Sequence, residues 1–139
     1  MIAFNLGDTG GIPSTPENDA WIAAHSQLLF SGPFTMHNAE ITWRSPDTFS
    51  MFDDCMSIPD LFARVERHDS ISVAFDDEGG ARHHVERVPR ALAELVQHEC
   101  DHLDGVLMTD RASELVYRSE LERDPEYFNQ FVDYQITAT

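Results

Sequence analysis

Residues 97–105 read Gln-His-Glu-Cys-Asp-His-Leu-Asp-Gly. His98 and His102 stand four apart, so on a helix both imidazoles project from one face, about one turn from each other. Glu99 follows the first histidine and can reach a water held between a metal ion and a substrate. This is the H-E-x-x-H arrangement of a hydrolytic metal site, with two neutral nitrogen ligands and a carboxylate that works as acid and base. The motif fixes a mechanism class and leaves the third ligand open among unrelated kinds of enzyme. A zinc endopeptidase would take that ligand from a downstream acid such as Glu114 or Glu120. Cys100, two residues beyond His98, points to another face of the helix and reads as packing. His25, His37, His68 and the His83-His84 pair read as polar side chains with ordinary hydrogen bonds.

The helix that must carry the motif starts at Pro89, which suits a first turn, and ends at Gly105, a C-cap residue. Between them Ala91, Leu92, Leu95, Val96 and Leu103 recur at helical spacing beside both histidines. Upstream the chain reads as strands. Met1–Leu6 is a short apolar run, Gly7–Asp19 a loop, and Asp19–Phe30 either a short helix or an irregular strand. Phe34–Trp43 predicts a strand with a turn at Ser45-Pro46-Asp47, and Met51–Pro59 a turn-like segment. Ala63–Val65 and Ser70–Phe75 predict strands, and Asp76–Gly80 a hairpin loop that returns through Ala81–Val88. Val106–Met108 reads as extended, and Ser113–Tyr134 as a second helical pattern interrupted near Asp124-Pro125. Strands first and helices afterwards predict an α+β fold, one domain over residues 1–139.

The formal charge is −16, and all nine basic residues are arginine. Without lysine, Schiff-base chemistry is excluded, and so acidic a chain is a poor partner for nucleic acid. No apolar run approaches the ~20 residues of a membrane span. The N-terminus lacks the basic and long apolar regions of a signal peptide, which predicts a cytoplasmic protein. Its two cysteines read as reduced thiols or as a metal ligand.

The extended string Gln97–Gly105 resembles the third signature of the peptide deformylases, Q-H-E-x-D-H-L-x-G, at every fixed position. Asp53-Asp54-Cys55-Met56-Ser57-Ile58-Pro59 resembles the family's second signature, E-G-C-L-S, with Asp53 and Asp54 where Glu and Gly are usual. Val65-Glu66-Arg67 stands where the family has V-x-R, and Gly105–Arg111 continues the match, so the resemblance runs from about Phe34 to Ala112. It implies antiparallel sheets around a central metal-binding helix, followed by a C-terminal helix. It also implies one divalent ion, Fe²⁺ or Zn²⁺ with Ni²⁺ or Co²⁺ also accepted, held by Cys55, His98 and His102. Glu99 is then the acid/base, and the backbone N–H of Met56 faces the developing oxyanion. Arg67 reads as a structural ion-pair residue, and Asp101 as a group that orients a ligand or a nearby arginine.

The family's first signature, G-x-G-L-A-A-x-Q, with its oxyanion glutamine, has no counterpart; Ile22-Ala23-Ala24-His25-Ser26-Gln27 is the nearest string. Asn38-Ala39-Glu40-Ile41 aligns with the family's N-P-E-I/L segment, so the chain is expected to begin after that first signature. The cleft would then be open, to be covered by a homodimer partner or by Gly7–Leu29. Arg90 and Glu94 stand on a helix face that helps form the family's methionine pocket, which hints at another substrate; the plainer reading makes Glu94 an exposed helix residue. Residues 111–134 carry three arginines against six acids, a poor match for ribosomal RNA. The expected activity is removal of an N-formyl group from a peptide or a specialised small molecule. The alternative is a catalytically degenerate relative that binds a metal or a partner.

Overall fold

The computed structural model describes residues 1–55 and 58–119, and of residues 54, 55, 58 and 59 the backbone only. In chain order the elements are β1 (Ile2–Phe4), α1 (Pro16–Ala24), α2 (Ser26–Leu29), β2 (Phe34–Arg44), β3 (Thr48–Cys55) and β4 (Ile58–His68). They continue with β5 (Ile71–Asp76), β6 (Arg82–Val88), α3 (Arg90–Leu103), α4 (Met108–Arg111) and β7 (Glu114–Tyr117). All strand pairs are antiparallel. They form a four-stranded sheet in the order β1-β2-β5-β6 and a three-stranded sheet in the order β3-β4-β7. This is an α+β architecture with α3 as the long helix, packed against β2 and β4.

β5 is one of the two inner strands of the larger sheet, and Ile71 to Phe75 are buried on both faces, as a near-continuous apolar run requires. The hairpin to β6 closes through Asp77, whose carboxylate accepts from the Ala81 N–H while Gly80 takes a positive φ of 87°. Along α3, Leu92, Val96 and Cys100 recur every four residues and enter the core built with Val73, Phe75, Val85 and Val88. The opposite face carries Glu94, His98 and His102. One helix thus gives an apolar face to the larger sheet and keeps polar groups for the smaller one. Gly105, at φ 75°, lies just past the helix end, where the left-handed conformation favours glycine.

Several expectations are corrected. Met51–Pro59 is not a turn: residues 51–55 belong to β3, paired with β4 from Thr48↔His68 to Cys55↔Ile58. Met51, Phe52 and Asp53 are all buried, so neither face alternates with solvent and the two-residue period is invisible. β4 extends far beyond Ala63–Val65 in both directions. The Gly7–Asp19 loop ends early, because Thr15 caps α1 by accepting from the Asn18 N–H and Pro16 opens its first turn. Residues 19–30 are mostly helical, and Trp21, Ile22 and Leu28 pack on the larger core. Met108 opens α4 instead of ending an extended piece. Leu103, expected on the apolar face, is exposed.

The expected helix from Ser113 begins instead with strand β7, whose Val116 is buried opposite Phe62. Only at Arg118 and Ser119 does the chain become helical, and the rest of that pattern lies outside the described residues. Among the described residues no helix is long and apolar enough to cross a membrane.

Candidate metal centre

α3 brings His98, Glu99 and His102 together as the spacing predicts. A ring nitrogen of each histidine and a Glu99 carboxylate oxygen lie within 4.8 Å of one another. The two imidazoles meet edge to face, with centroids 4.5 Å apart. Glu99 Oε2 is 3.6 Å from His102 Nδ1, and Glu99 Oε1 is buried with no hydrogen-bond partner among the described residues. His98 is 1% exposed, whereas the His102 side chain is 31% exposed. The open side of the site therefore lies toward the C-terminal end of the helix. Burial pushes the Glu99 carboxyl above its ordinary value, and the two neighbouring histidines oppose that shift.

Strand β3 supplies the group that orients His98. Asp53 Oδ2 lies 2.7 Å from His98 Nδ1. It also accepts from Arg67 Nη2 at 3.1 Å, so the imidazole contact is an Nδ1–H donation and the lone pair resides on Nε2. Arg67 in turn donates from Nη1 to Asp101 Oδ2 at 2.5 Å, and Asp101 takes two further bonds from Arg111. Burial works against the charge on Arg67, yet its bonds and proximity to Asp101 and Asp53 hold its pKa above the ordinary value. Arg67 and Asp101 therefore have the structural and orienting roles read from sequence. On the other side of the helix Cys100 is buried, its thiol pushed up to about 11 chiefly by burial. It belongs to the core, as its place on the helix predicts. His25, His37, His68 and His83 each have an ordinary polar partner.

The donor set suits a divalent ion. Two imidazoles and a carboxylate converge, one imidazole is already fixed in the tautomer that offers Nε2, and a buried carboxylate oxygen beside them lacks a donor. The Cys55 side chain and all of Met56 lie outside the described residues. The backbone places Cys55 at the end of β3, two residues beyond Asp53. Glu114, the alternative third ligand, stands on β7 with its carboxylate 3.9 Å from Arg64. Among the described residues it joins neither donor group that contains His98. Glu120 lies outside the described residues.

A family model for polypeptide deformylase matches residues 12–117. The chain belongs to that family. The match begins well before Phe34 and ends beyond Ala112, so it is longer than the signatures alone suggest. The peptide deformylase of Methylocella silvestris is 39% identical over 83 residues, which are 60% of this chain and 42% of that protein. The crystal structure of peptide deformylase from Thermotoga maritima is 36% identical, with a TM-score of 0.56 over 60% of this chain and 56% of that one. A Synechococcus elongatus peptide deformylase, crystallised with actinonin, is 30% identical over 76% of this chain and 56% of that one, again with a TM-score of 0.56. The chain spans about half the length of the deformylases it matches.

The sequence reading missed what Asp53 touches and left Glu94 open. Asp53 was noted only as a departure from the family's Glu; its grip on His98 depends on β3 being a strand, and with that strand Asp53 falls two residues from Met51, on the face of the sheet that meets the helix. Glu94 is not the exposed helix residue of the plainer reading but fully buried. Arg90, the other charged residue of that helix face, pairs with Asp69. The spacing 94-98-102 was the available signal for Glu94.

Proposed function

We propose that this chain is a metal-dependent hydrolase that removes an N-formyl group from a peptide. The observation that carries this reading is the convergence of His98, Glu99 and His102 on the helix of a deformylase-family chain, with Glu99 Oε1 buried and lacking a donor. Cys55, His98 and His102 would hold one divalent ion, iron or zinc, with nickel or cobalt as substitutes. When bound, such an ion polarises the formyl carbonyl and acidifies water.

The chain's own residues do the rest. Asp53 holds His98 through Nδ1, the tautomer whose Nε2 would take the ion, and Arg67 holds Asp53. Glu99 takes the proton of the attacking water as the new C–O bond forms. The same carboxyl delivers that proton to the amide nitrogen as the C–N bond breaks, giving formate and a free amine. The Met56 N–H would donate to the carbonyl oxygen as it gains charge. Burial raises the Glu99 carboxyl above its ordinary value, the direction that favours a group that must return a proton as well as accept one.

The test is release of formate from formyl-Met peptides by the metal-loaded protein, with Glu99→Ala as control. Turnover that falls by about 10²–10⁴ in the variant supports the reading. Equal turnover in both proteins would sink it. Turnover of a formylated small molecule, with formyl-Met peptides inert, would move the substrate class. Metal binding without either activity is the outcome expected of the degenerate relative.

A further inference from the structure

A cavity of about 90 Å³ lies between β2, β4 and α3, and Arg44, Arg67 and Arg111 all line it, together with Glu66 and Asp101. A third of the arginines of a strongly acidic chain thus meet at one small volume. The hydrogen bonds made there leave donors in excess. Both Asp101 oxygens are taken, Oδ1 by Arg111 Nη2, and Oδ2 by Arg67 Nη1 and Arg111 Nε. Arg67 spends its other terminal nitrogen, Nη2, on Asp53. Its Nε is buried with no hydrogen-bond partner among the described residues, and the residue as a whole is 3% exposed. Arg44, the last residue of β2, has no ion pair among the described residues. Glu66 is exposed and pairs with none of the three arginines. A buried donor left unpaired is costly, and an arginine cannot shed its proton to escape that cost.

We propose that this cavity binds a small carboxylate anion. Its volume has room for about three waters at ~30 Å³ each, and so for an anion of three or four non-hydrogen atoms. The planar fork of a guanidinium matches the two oxygens of a carboxylate. A carboxylate that accepts from Arg67 Nε and from Arg44 leaves both terminal nitrogens of Arg67 on their present partners, so Asp53 keeps its hold on His98. Formate, which the proposed reaction releases, is the smallest member of this class. None of His98, Glu99 and His102 lines the cavity, so binding there does not require an ion at those residues.

The full chain, both chelator-stripped and zinc-loaded, is melted in increasing sodium formate or sodium acetate. Sodium chloride makes up a constant ionic strength, so that screening is the same throughout. A saturable rise in melting temperature over chloride alone is expected in both forms, since a ligand that binds only the folded chain stabilises it. Arg44→Ala should raise the half-saturating concentration about 10–100-fold, the worth of a charge-assisted hydrogen bond. Arg44→Lys should recover only part of that, because it keeps the charge and loses the fork. Arg82→Ala removes the same charge at the far end of β5, where Arg82 stands opposite Asp76 while Arg44 stands opposite Ile71; it should match wild type. No rise beyond chloride overturns the proposal. So does a half-saturation that is unchanged in Arg44→Ala, or shifted equally in Arg82→Ala, which marks long-range charge alone. A rise confined to the zinc-loaded protein overturns it as well, because the metal is then the acceptor and only the metal-centre reading is supported. Phosphate that saturates at a lower concentration than either carboxylate overturns the class of ligand.

Discussion

Arg67 ties together two carboxylates with different tasks: Asp53, which orients His98, and Asp101, which also receives Arg111. Arg67→Met would leave Asp53 buried beside His98 without its arginine. The expected loss is about 3–5 kcal/mol, read as a lower denaturation midpoint in chelator-treated protein so that metal loss does not contribute. Glu99 makes a prediction whose sign follows from its burial. Its carboxyl in the folded, metal-free chain is raised above its ordinary value, chiefly by burial, so above that value the folded state binds more protons than the unfolded one. Stability then falls as pH rises through the raised pKa. Glu99→Gln removes this dependence, so the metal-free variant should gain melting temperature relative to wild type as pH rises through that window. A constant difference across the window would show that Glu99 is not perturbed. Cys100 supplies the contrasting case: with its thiol at about 11 and buried, it should react slowly with iodoacetamide at neutral pH. Cys100→Ala should keep full metal content, as judged by elemental analysis.

At the scale of elements, the placement of the metal helix against β4 depends on Gln97. Its Nε2 donates to the His68 carbonyl and its Oε1 accepts from the His68 N–H, both at 2.9 Å, so a side-chain amide pairs with the last residue of the strand. Gln97→Ala breaks both bonds and should cost about 2–3 kcal/mol, measured by urea unfolding. Gln97→Glu should do little better, because an oxygen would then face the His68 carbonyl. The helix itself was legible in the sequence because its apolar and chemical residues share one period, and the hairpin to β6 because Asp76–Gly80 is unambiguous turn chemistry. β3 was not legible: Asp53, Asp54, Ser57 and Pro59 look like turn formers, and burial on both faces erases alternation. β7 was misread for the opposite reason. Glu114-Leu115-Val116-Tyr117 fits a helical pattern locally, and only pairing with β4 makes it a strand. The convergence of His98, Glu99 and His102 could therefore be read from spacing. Asp53 could not, since its role exists only once two strands and a helix are assembled.

The whole molecule is a scaffold of strong negative charge, 25 acids against nine arginines. Such an excess repels itself in the compact state and also draws divalent cations toward the chain. Ion pairs such as Arg64–Glu114 and Arg82–Glu40 are partly exposed, and pairs of that kind contribute only about 0–1 kcal/mol each. Screening should therefore relieve more repulsion than it removes attraction. Raising sodium chloride from low to high concentration shortens the Debye length from about 30 Å at 0.01 M to about 3 Å at 1 M. The Arg67–Asp53 and Arg67–Asp101 contacts are buried and are screened least. The metal-free protein should accordingly melt at a higher temperature in high salt, followed by circular dichroism in chelator. The rate of Zn²⁺ uptake should fall over the same range, because the attracting field is screened while the ligands are unchanged. A melting temperature that dropped with salt would mean that the surface pairs outweigh the net repulsion. The acidic surface would then be part of what holds the two sheets around α3.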